Sequence, residues 1–203
     1  MNCLAIDTSG NHLTVLLIKG KEVYKSHVKN AFCKHSITLM PEIESVLSKT
    51  NTSLSEIDVF CTSIGPGSFT GIRIGVSTVK ALAYSCKKKV LGVTSFLSLA
   101  YNSEEDKVLA VIDAKHENYY VCGFENKKVT LAPCFLTGEE VKKLSKNYQV
   151  VCDGDIDIPF VIGDYENGFY KAVISSLENA TYNTQELLPL YVKKSQAEEE
   201  RNG

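Results

Sequence analysis

The stretch from Ser63 to Gly75, SIGPGSFTGIRIG, constrains the fold of this chain more than any other. The run Ile57 to Ile64 (IDVFCTSI) leads into it with the length and β-branched content of a buried strand. Gly65, Pro66 and Gly67 end that strand, because glycine reaches backbone angles closed to other residues and proline fixes one φ. Ser68 and Thr70 are both placed to cap a helix beginning there. From Gly71 onward Ile72, Val76, Val79, Ala83 and Cys86 recur at helical spacing. The order is strand, tight glycine turn, long helix, which is α/β architecture.

Glycine turns of this kind carry several chemistries. A phosphate-binding loop needs G-x-x-x-x-G-K-[ST]. Here Gly65 and Gly71 are one residue too far apart, and Ile72 and Arg73 stand where lysine and a hydroxyl are needed. A serine nucleophile elbow needs G-x-S-x-G, and the residue midway between Gly67 and Gly71 is Phe69. An anion nest at the helix N-terminus stays open, beside the plainer reading that the loop packs the strand end against the helix.

Before the loop, Cys3 to Thr8, His12 to Ile18 and Lys21 to Val28 read as consecutive hairpin strands. His35 to Thr50 reads as a helix with Ile37, Met40, Ile43, Val46 and Leu47 on one face, beginning or bending near Pro41. After the loop, Lys89 to Val93 is a strand, and Thr94 or Ser95 caps a short helix to about Tyr101. The polar break Asn102 to Asp106 divides the chain into halves, 1–103 and 104–203. The second half then runs Val108 to Asp113, Asn118 to Phe124 and Lys128 to Phe135 as strands and Thr137 to Lys146 as a helix with a capping box to Glu140. A strand from Tyr148 to Cys152 and a helix from Glu166 to Glu178 come next. Three strands, helix, strand, helix thus occur twice, and Leu4-Ala-Ile-Asp7 matches Ala110-Val-Ile-Asp113. After Tyr191 the polar tail is expected to fray.

Composition narrows the function classes. The 203 residues are 44% hydrophobic and 23% charged, as in an ordinary globule, and the net charge of -2 gives no electrostatic case for strong nucleic-acid binding by this chain alone. Lys87 to Lys89 reads as a solvated helix end. No apolar stretch is long enough to span a membrane, and the start lacks a signal-peptide pattern, so a cytoplasmic protein is expected. The seven cysteines form no C-x-x-C and mostly lie in apolar runs, as small buried hydrophobes in a reducing compartment do.

The residues GPGSFTGIRIG, Gly65 to Gly75, resemble the hallmark of the TsaB family, the non-catalytic subunits of the bacterial tRNA threonylcarbamoyladenosine machinery. The likeness runs over the whole chain and is strongest from Met1 to Asn102. It implies an α/β, actin-like ATPase (ribonuclease H-like) fold, with two duplicated halves that each hold a mixed sheet flanked by helices. It also implies a partner, TsaD, which the chain would bind and support in transferring threonylcarbamoyl to N6 of adenosine 37 of ANN-decoding tRNA. The ATPase TsaE and the tRNA would be met only through the complex, and a homodimer would form when the chain is alone. No cofactor is expected beyond weak ATP or ADP binding. Two other classes compete: a small actin-like ATPase or kinase using Asp7 and Asp113, and a glycoprotease-type peptidase, which is suggested by the family's older naming and for which no nucleophile motif is present.

In actin-like ATPases aspartates at strand ends equivalent to Asp7 and Asp113 approach magnesium and phosphate. Here Asp113 is followed by AKHENYY, with no glycine, and both aspartates also suit turn capping. Metal-binding histidines at i and i+4 share a helix face, but His35 is followed at that spacing by Leu39, and His12, His27 and His116 are scattered, so no metal is expected. Arg73 lies in the first helical turn, where the dipole disfavours a cation. Asp7, a phosphate or a partner should compensate it, unless it lies over its own loop. For the partner surface, Ser77, Ala81 and Ser85, spaced by four, with Ile74 and Leu82, would let another helix approach. Leu39, Ile43 and Val46 of the preceding helix offer a second apolar surface. Gly65, Pro66, Gly67 and Gly71 are the structural loop.

Overall fold

The computed structural model describes residues 1–154 and 156–193. Of the tail expected to fray, residues 194–203 lie outside the described residues.

The first half contains β1 (Asn2–Asp7), β2 (His12–Lys19), β3 (Glu22–Lys29), α1 (His35–Lys49), β4 (Val59–Ser63), α2 (Phe69–Cys86), β5 (Lys89–Val93) and α3 (Ser95–Ala100). The second contains β6 (Lys107–Asp113), β7 (Asn118–Glu125), β8 (Lys128–Thr137), α4 (Gly138–Leu144), β9 (Gln149–Cys152), β10 (Val161–Ile162) and α5 (Tyr165–Ser176). The sheets have the same plan, β3-β2-β1-β4-β5 and β8-β7-β6-β9-β10. In each, the central strand pairs antiparallel on one side and parallel on the other. The internal repeat is thus real, and the fold is the duplicated actin-like one. The two-residue β10 has no counterpart among the sequence expectations, being too short to show a period.

Each central strand is apolar on both faces, and its alternating side-chain directions sort it into two layers. Leu4 and Ile6 of β1 face α1 and α2, while Cys3 and Ala5 face α5. Val108, Ala110 and Ile112 of β6 face α3, while Leu109 and Val111 face α4. The last helix of each half has therefore crossed over. Phe96, Leu99 and Ala100 of α3 fill the second half's core, and Phe169, Ala172 and Val173 of α5 fill the first half's. The two helices meet in the middle, where Gly168 lets their backbones close: a Cβ there would overlap the carbonyl of Ser98. The halves share a core and do not stand as separate globules.

Helix α1 begins at His35 and runs through Pro41, which sits on its exposed side. The expected apolar face of this helix needs correction. Ile37 and Met40 are exposed, at 72% and 42%, and the inward face is His35, Leu39, Ile43, Val46 and Leu47. Leu39, Ile43 and Val46, expected to offer a partner surface, are at most 2% exposed and belong to the chain's own core. Periodicity finds an apolar stripe without saying which neighbour covers it.

Of the cysteines, Cys3, Cys61, Cys122 and Cys152 are buried as expected, Cys86 and Cys134 are half-buried and Cys33 is exposed. No helix among the described residues is long and apolar enough to cross a membrane.

The α3–α5 crossing generates a prediction. Gly168→Val should destabilise the whole molecule by about 1–3 kcal/mol, the cost of overpacking a close contact. One cooperative denaturation transition, shifted for probes in both halves, is the expected result.

Candidate functional site

Asp7 is the last residue of β1 and is completely buried. A buried carboxylate needs a counter-charge and hydrogen bonds, and the β1–β2 turn provides both. The Ser9 backbone N and Oγ donate to Asp7 Oδ1 at 2.8 and 2.7 Å, and His12 Nε2 donates to Oδ2 at 3.1 Å. Burial opposes ionisation of Asp7, but the His12 charge and the bonds from His12 and Ser9 outweigh it and hold the carboxyl below its usual range. Burial likewise opposes charging of His12. The Asp7 carboxylate overcomes this, and the imidazole pKa is raised.

No motif or spacing in the chain singles out His12, yet it is the residue that completes the site. Its ring stacks between His27, at 5.7 Å, and Tyr165 at the start of α5, at 5.0 Å. His27 Nδ1 contacts Thr14 Oγ1 at 2.9 Å and lies 3.9 Å from Glu166, which also pairs with Lys25. Tyr165 Oη donates to Asp153 Oδ2 at 3.0 Å, and Asp153 Oδ1 accepts the Asp113 amide at 3.0 Å. A polar chain thus runs from Asp7 to Asp113 across the two halves.

Asp113 ends β6 as Asp7 ends β1, so the two expected strand-end aspartates are equivalent. Asp113 accepts from the Lys115 amide at 2.8 Å and from Lys115 Nζ at 2.6 Å, and its pKa is lowered because those bonds and the ammonium overcome partial burial. Both carboxylates are therefore engaged by the chain's own side chains, His12 and Lys115. Among the described residues no group of three or more His, Cys, Asp or Glu is arranged to hold a metal ion. Nor is Ser9 set out as a nucleophile. In a catalytic triad the histidine sits between serine and carboxylate, whereas here the carboxylate sits between Ser9 and His12.

The glycine loop is built onto the same turn. Ser68 caps α2 by accepting from the Gly71 amide at 3.2 Å, and its own amide donates to Ser9 O at 2.6 Å. Thr8 Oγ1 donates to Gly71 O at 2.7 Å. Gly67 has φ +153°, and a Cβ on it would overlap Ser9 O; Gly71 meets the Thr8 carbonyl in the same way. The loop glycines let α2 begin in backbone contact with the turn that holds Asp7, which is the packing role.

Arg73 departs from one expectation: no contact with Asp7 compensates it. Its guanidinium lies 3.8 Å over the Phe69 ring, and Nε donates to Tyr191 Oη at 2.9 Å. A ring face attracts a cation and offsets the unfavourable dipole. Along α2, Ile72, Val76, Val79 and Ala83 are buried, while Arg73, Ser77, Ala81, Tyr84 and Ser85 are exposed and Ile74 and Leu82 half-buried. Between the halves lies a cavity of about 420 Å³, lined by Pro66, Gly67, Phe69, Lys115, Tyr120, Phe135, Tyr191 and Lys193, among others.

Comparison with known proteins places this arrangement. The family model described as TsaD, tRNA N6-adenosine threonylcarbamoyltransferase, matches residues 28–199. The chain is 30% identical over 164 residues to the tRNA threonylcarbamoyladenosine biosynthesis protein TsaB of Buchnera aphidicola subsp. Schizaphis graminum, covering 74% of this chain and 78% of that one. It is 32% identical over 124 residues to the protein of the same name from Escherichia coli, covering 59% of this chain and 53% of that one. The chain thus spans just over half of the E. coli relative. In fold it matches a solved structure described as YeaZ from Pseudomonas aeruginosa, with TM-score 0.75 and 22% identity over 94% of this chain and 99% of that one.

The turn and its loop are open to two tests. Gly67→Val should cost about 1–3 kcal/mol, the order of stored backbone strain, and unchanged thermal stability would mean the loop is permissive. The Asp7–His12 pair should make stability depend on pH in two windows. His12, with a raised folded pKa, contributes fully below its unfolded value near ~6.5 and loses that contribution as pH rises through the folded value. Asp7, with a lowered folded pKa, contributes above its unfolded value near ~3.9 and loses that contribution as pH falls through the folded value. His12→Gln should lower stability by about 1–3 kcal/mol at pH 6 and flatten the alkaline limb of melting temperature against pH.

Proposed function

The chain belongs to the TsaB family, and on that premise we propose that it serves tRNA threonylcarbamoyladenosine biosynthesis as a non-catalytic subunit that docks on TsaD. In this reading it supports the transfer of threonylcarbamoyl to N6 of adenosine 37 in ANN-decoding tRNA and meets TsaE and the tRNA only through the assembled complex. It pairs with a second copy of itself when TsaD is absent and works in the cytoplasm.

The observation that carries the reading is the outer face of α2. Ser77, Ala81 and Ser85 repeat every fourth residue and are exposed, so a second helix can approach closely. Half-buried Ile74 and Leu82 border that stripe, and Tyr84 is 81% exposed. Ile37 and Met40 add exposed apolar surface on α1, which contacts α2. Close approach of a second helix to these small residues would cover the exposed apolar side chains of the same helix. Leu39, Ile43 and Val46 are not part of it, since they are core.

The two strand-end carboxylates support the non-catalytic half of the reading. Asp7 is buried against His12 and Ser9, and Asp113 is engaged by Lys115, so a magnesium–phosphate group would have to displace partners already in place. The purified chain should therefore show neither threonylcarbamoyl transfer nor appreciable ATP hydrolysis. Robust turnover by the chain alone would overturn the proposal.

Ala81→Glu tests the docking face. Because Ala81 is exposed, the isolated variant should melt within about 0.5 kcal/mol of wild type. Its affinity for TsaD, and for itself, should fall about tenfold or more, or 1.4 kcal/mol, from an unpaired charge in the interface. A folded variant that binds TsaD normally in titration calorimetry would place the interface elsewhere.

A further inference from the structure

Three serines that no motif connects meet beside Asp7. Ser9 lies in the β1–β2 turn, Ser63 is the last residue of β4, and Ser95 is the first residue of α3. All three are at most 2% exposed, so their hydroxyls must find partners within the protein. Ser95 Oγ lies 3.1 Å from Ser9 Oγ and 3.1 Å from Ser63 Oγ, across 86 and 32 residues of sequence.

The protons available give these contacts one direction. An ionised carboxylate only accepts, so at 2.7 Å Ser9 Oγ is the donor to Asp7 Oδ1. A serine hydroxyl carries one proton, so Ser9 must accept from Ser95. Ser95 has then used its own proton, and Ser63 is the donor to it. The bonds run from Ser63 to Ser95 to Ser9 to Asp7. In such a chain each bond polarises the next, by roughly 10–30% per bond.

Helix α3 starts at the middle of this chain. The Ser95 amide donates to Gly65 O at 2.8 Å, so backbone and side chain both hold the helix to the first half. The other crossover helix, α5, starts with Tyr165 stacked on His12. The two helices that cover the opposite half's sheet therefore both begin at the turn that holds Asp7.

We propose that Ser63, Ser95 and Ser9 form a one-way relay of hydroxyl donors ending on Asp7, and that this relay joins the strength of the Asp7–His12 bond to the point at which α3 begins. Ser95 is its positioning residue. Removing a donor upstream leaves more negative charge on the Asp7 carboxylate, which then draws harder on His12. Removing the acceptor at Ser9 frees the Ser95 hydroxyl, and with it the start of α3, from the turn.

Two measurements at a single pH test the relay. The proton on His12 Nε2 points at Asp7, and its NMR resonance moves downfield as that bond strengthens. Ser9→Ala should move it downfield. Ser95→Ala should move it the same way by about 10–30% of that shift, and Ser63→Ala by less again. A role in packing alone predicts no such order. A resonance unmoved or moved upfield in Ser9→Ala or Ser95→Ala would overturn the relay. Should Ser95→Ala fail to fold, Ser63→Ala decides in its place, a downfield shift supporting the relay and an unmoved resonance overturning it. The second measurement is hydrogen exchange of the Ser95 amide in Ser9→Ala, which leaves the sequence neighbours of Ser95 unchanged. The Ala110 amide of β6 is the control for global opening. Exchange at Ser95 should quicken about fivefold relative to Ala110, the order for one lost hydrogen bond. Equal protection of Ser95 in the two chains would overturn the link between the relay and the start of α3.

Discussion

One buried carboxylate organises the centre of this molecule. Asp7 has no access to water, so every bond it needs comes from its own turn: two from Ser9 and one from His12. Those demands fix the β1–β2 turn. The turn in turn offers the Thr8 and Ser9 carbonyls to the glycine loop, and the loop sets where α2 begins. On the other side, the imidazole that neutralises Asp7 becomes the surface on which Tyr165 of the second half stacks. The start of α2 and the seat of α5 thus depend on one hydrogen-bonded pair, Asp7 and His12.

The same centre explains how a duplicated chain behaves as one body. Each half ends in a helix that covers the other half's sheet, so neither sheet has a complete second layer of its own. Burial of apolar surface is the dominant gain in folding, and here a large share of that gain comes from contacts between halves. The polar chain from Asp7 through His12, Tyr165 and Asp153 to Asp113 runs along the seam these helices make. The strand-end acids at this seam are engaged by His12 and Lys115.

The outward surfaces carry the functional reading. Helix α2 has an inner face of Ile72, Val76, Val79 and Ala83 and an outer face of small and exposed residues, and the capped start at Ser68 sets its rotation. Arg73 lies where that outer face and the glycine loop meet, stacked on Phe69 and bonded to Tyr191. The hallmark segment therefore does two physical jobs. Its glycines admit backbone contact with the first turn, and its helix packs Ile72, Val76, Val79 and Ala83 into the first half's core.

Local patterns determined much of this from the sequence alone. The apolar run from Leu4 to Ile6, the stripe from Ile72 to Ala83 and the Thr137–Glu140 capping box are nearest-neighbour features, and each produced its element in place. The repeat of element order was legible in the three opening strands and the first helix of each half, but among the described residues no helix joins β9 to β10 as α2 joins β4 to β5, so α5 corresponds to α3 and not, as the expected order had it, to α2. What tertiary structure alone decided was which surface meets which. Leu39, Ile43 and Val46 read as an available apolar stripe and proved to be core. His12 read as one scattered histidine and proved to be the partner of Asp7. Arg73 found Phe69, four residues away, and Tyr191, 118 residues away, in place of Asp7. A periodic pattern records that a residue is apolar or charged on a given face, but the neighbour that buries or neutralises it is set by how the chain folds, whether that neighbour is five residues away, as His12 is from Asp7, or 118, as Tyr191 is from Arg73.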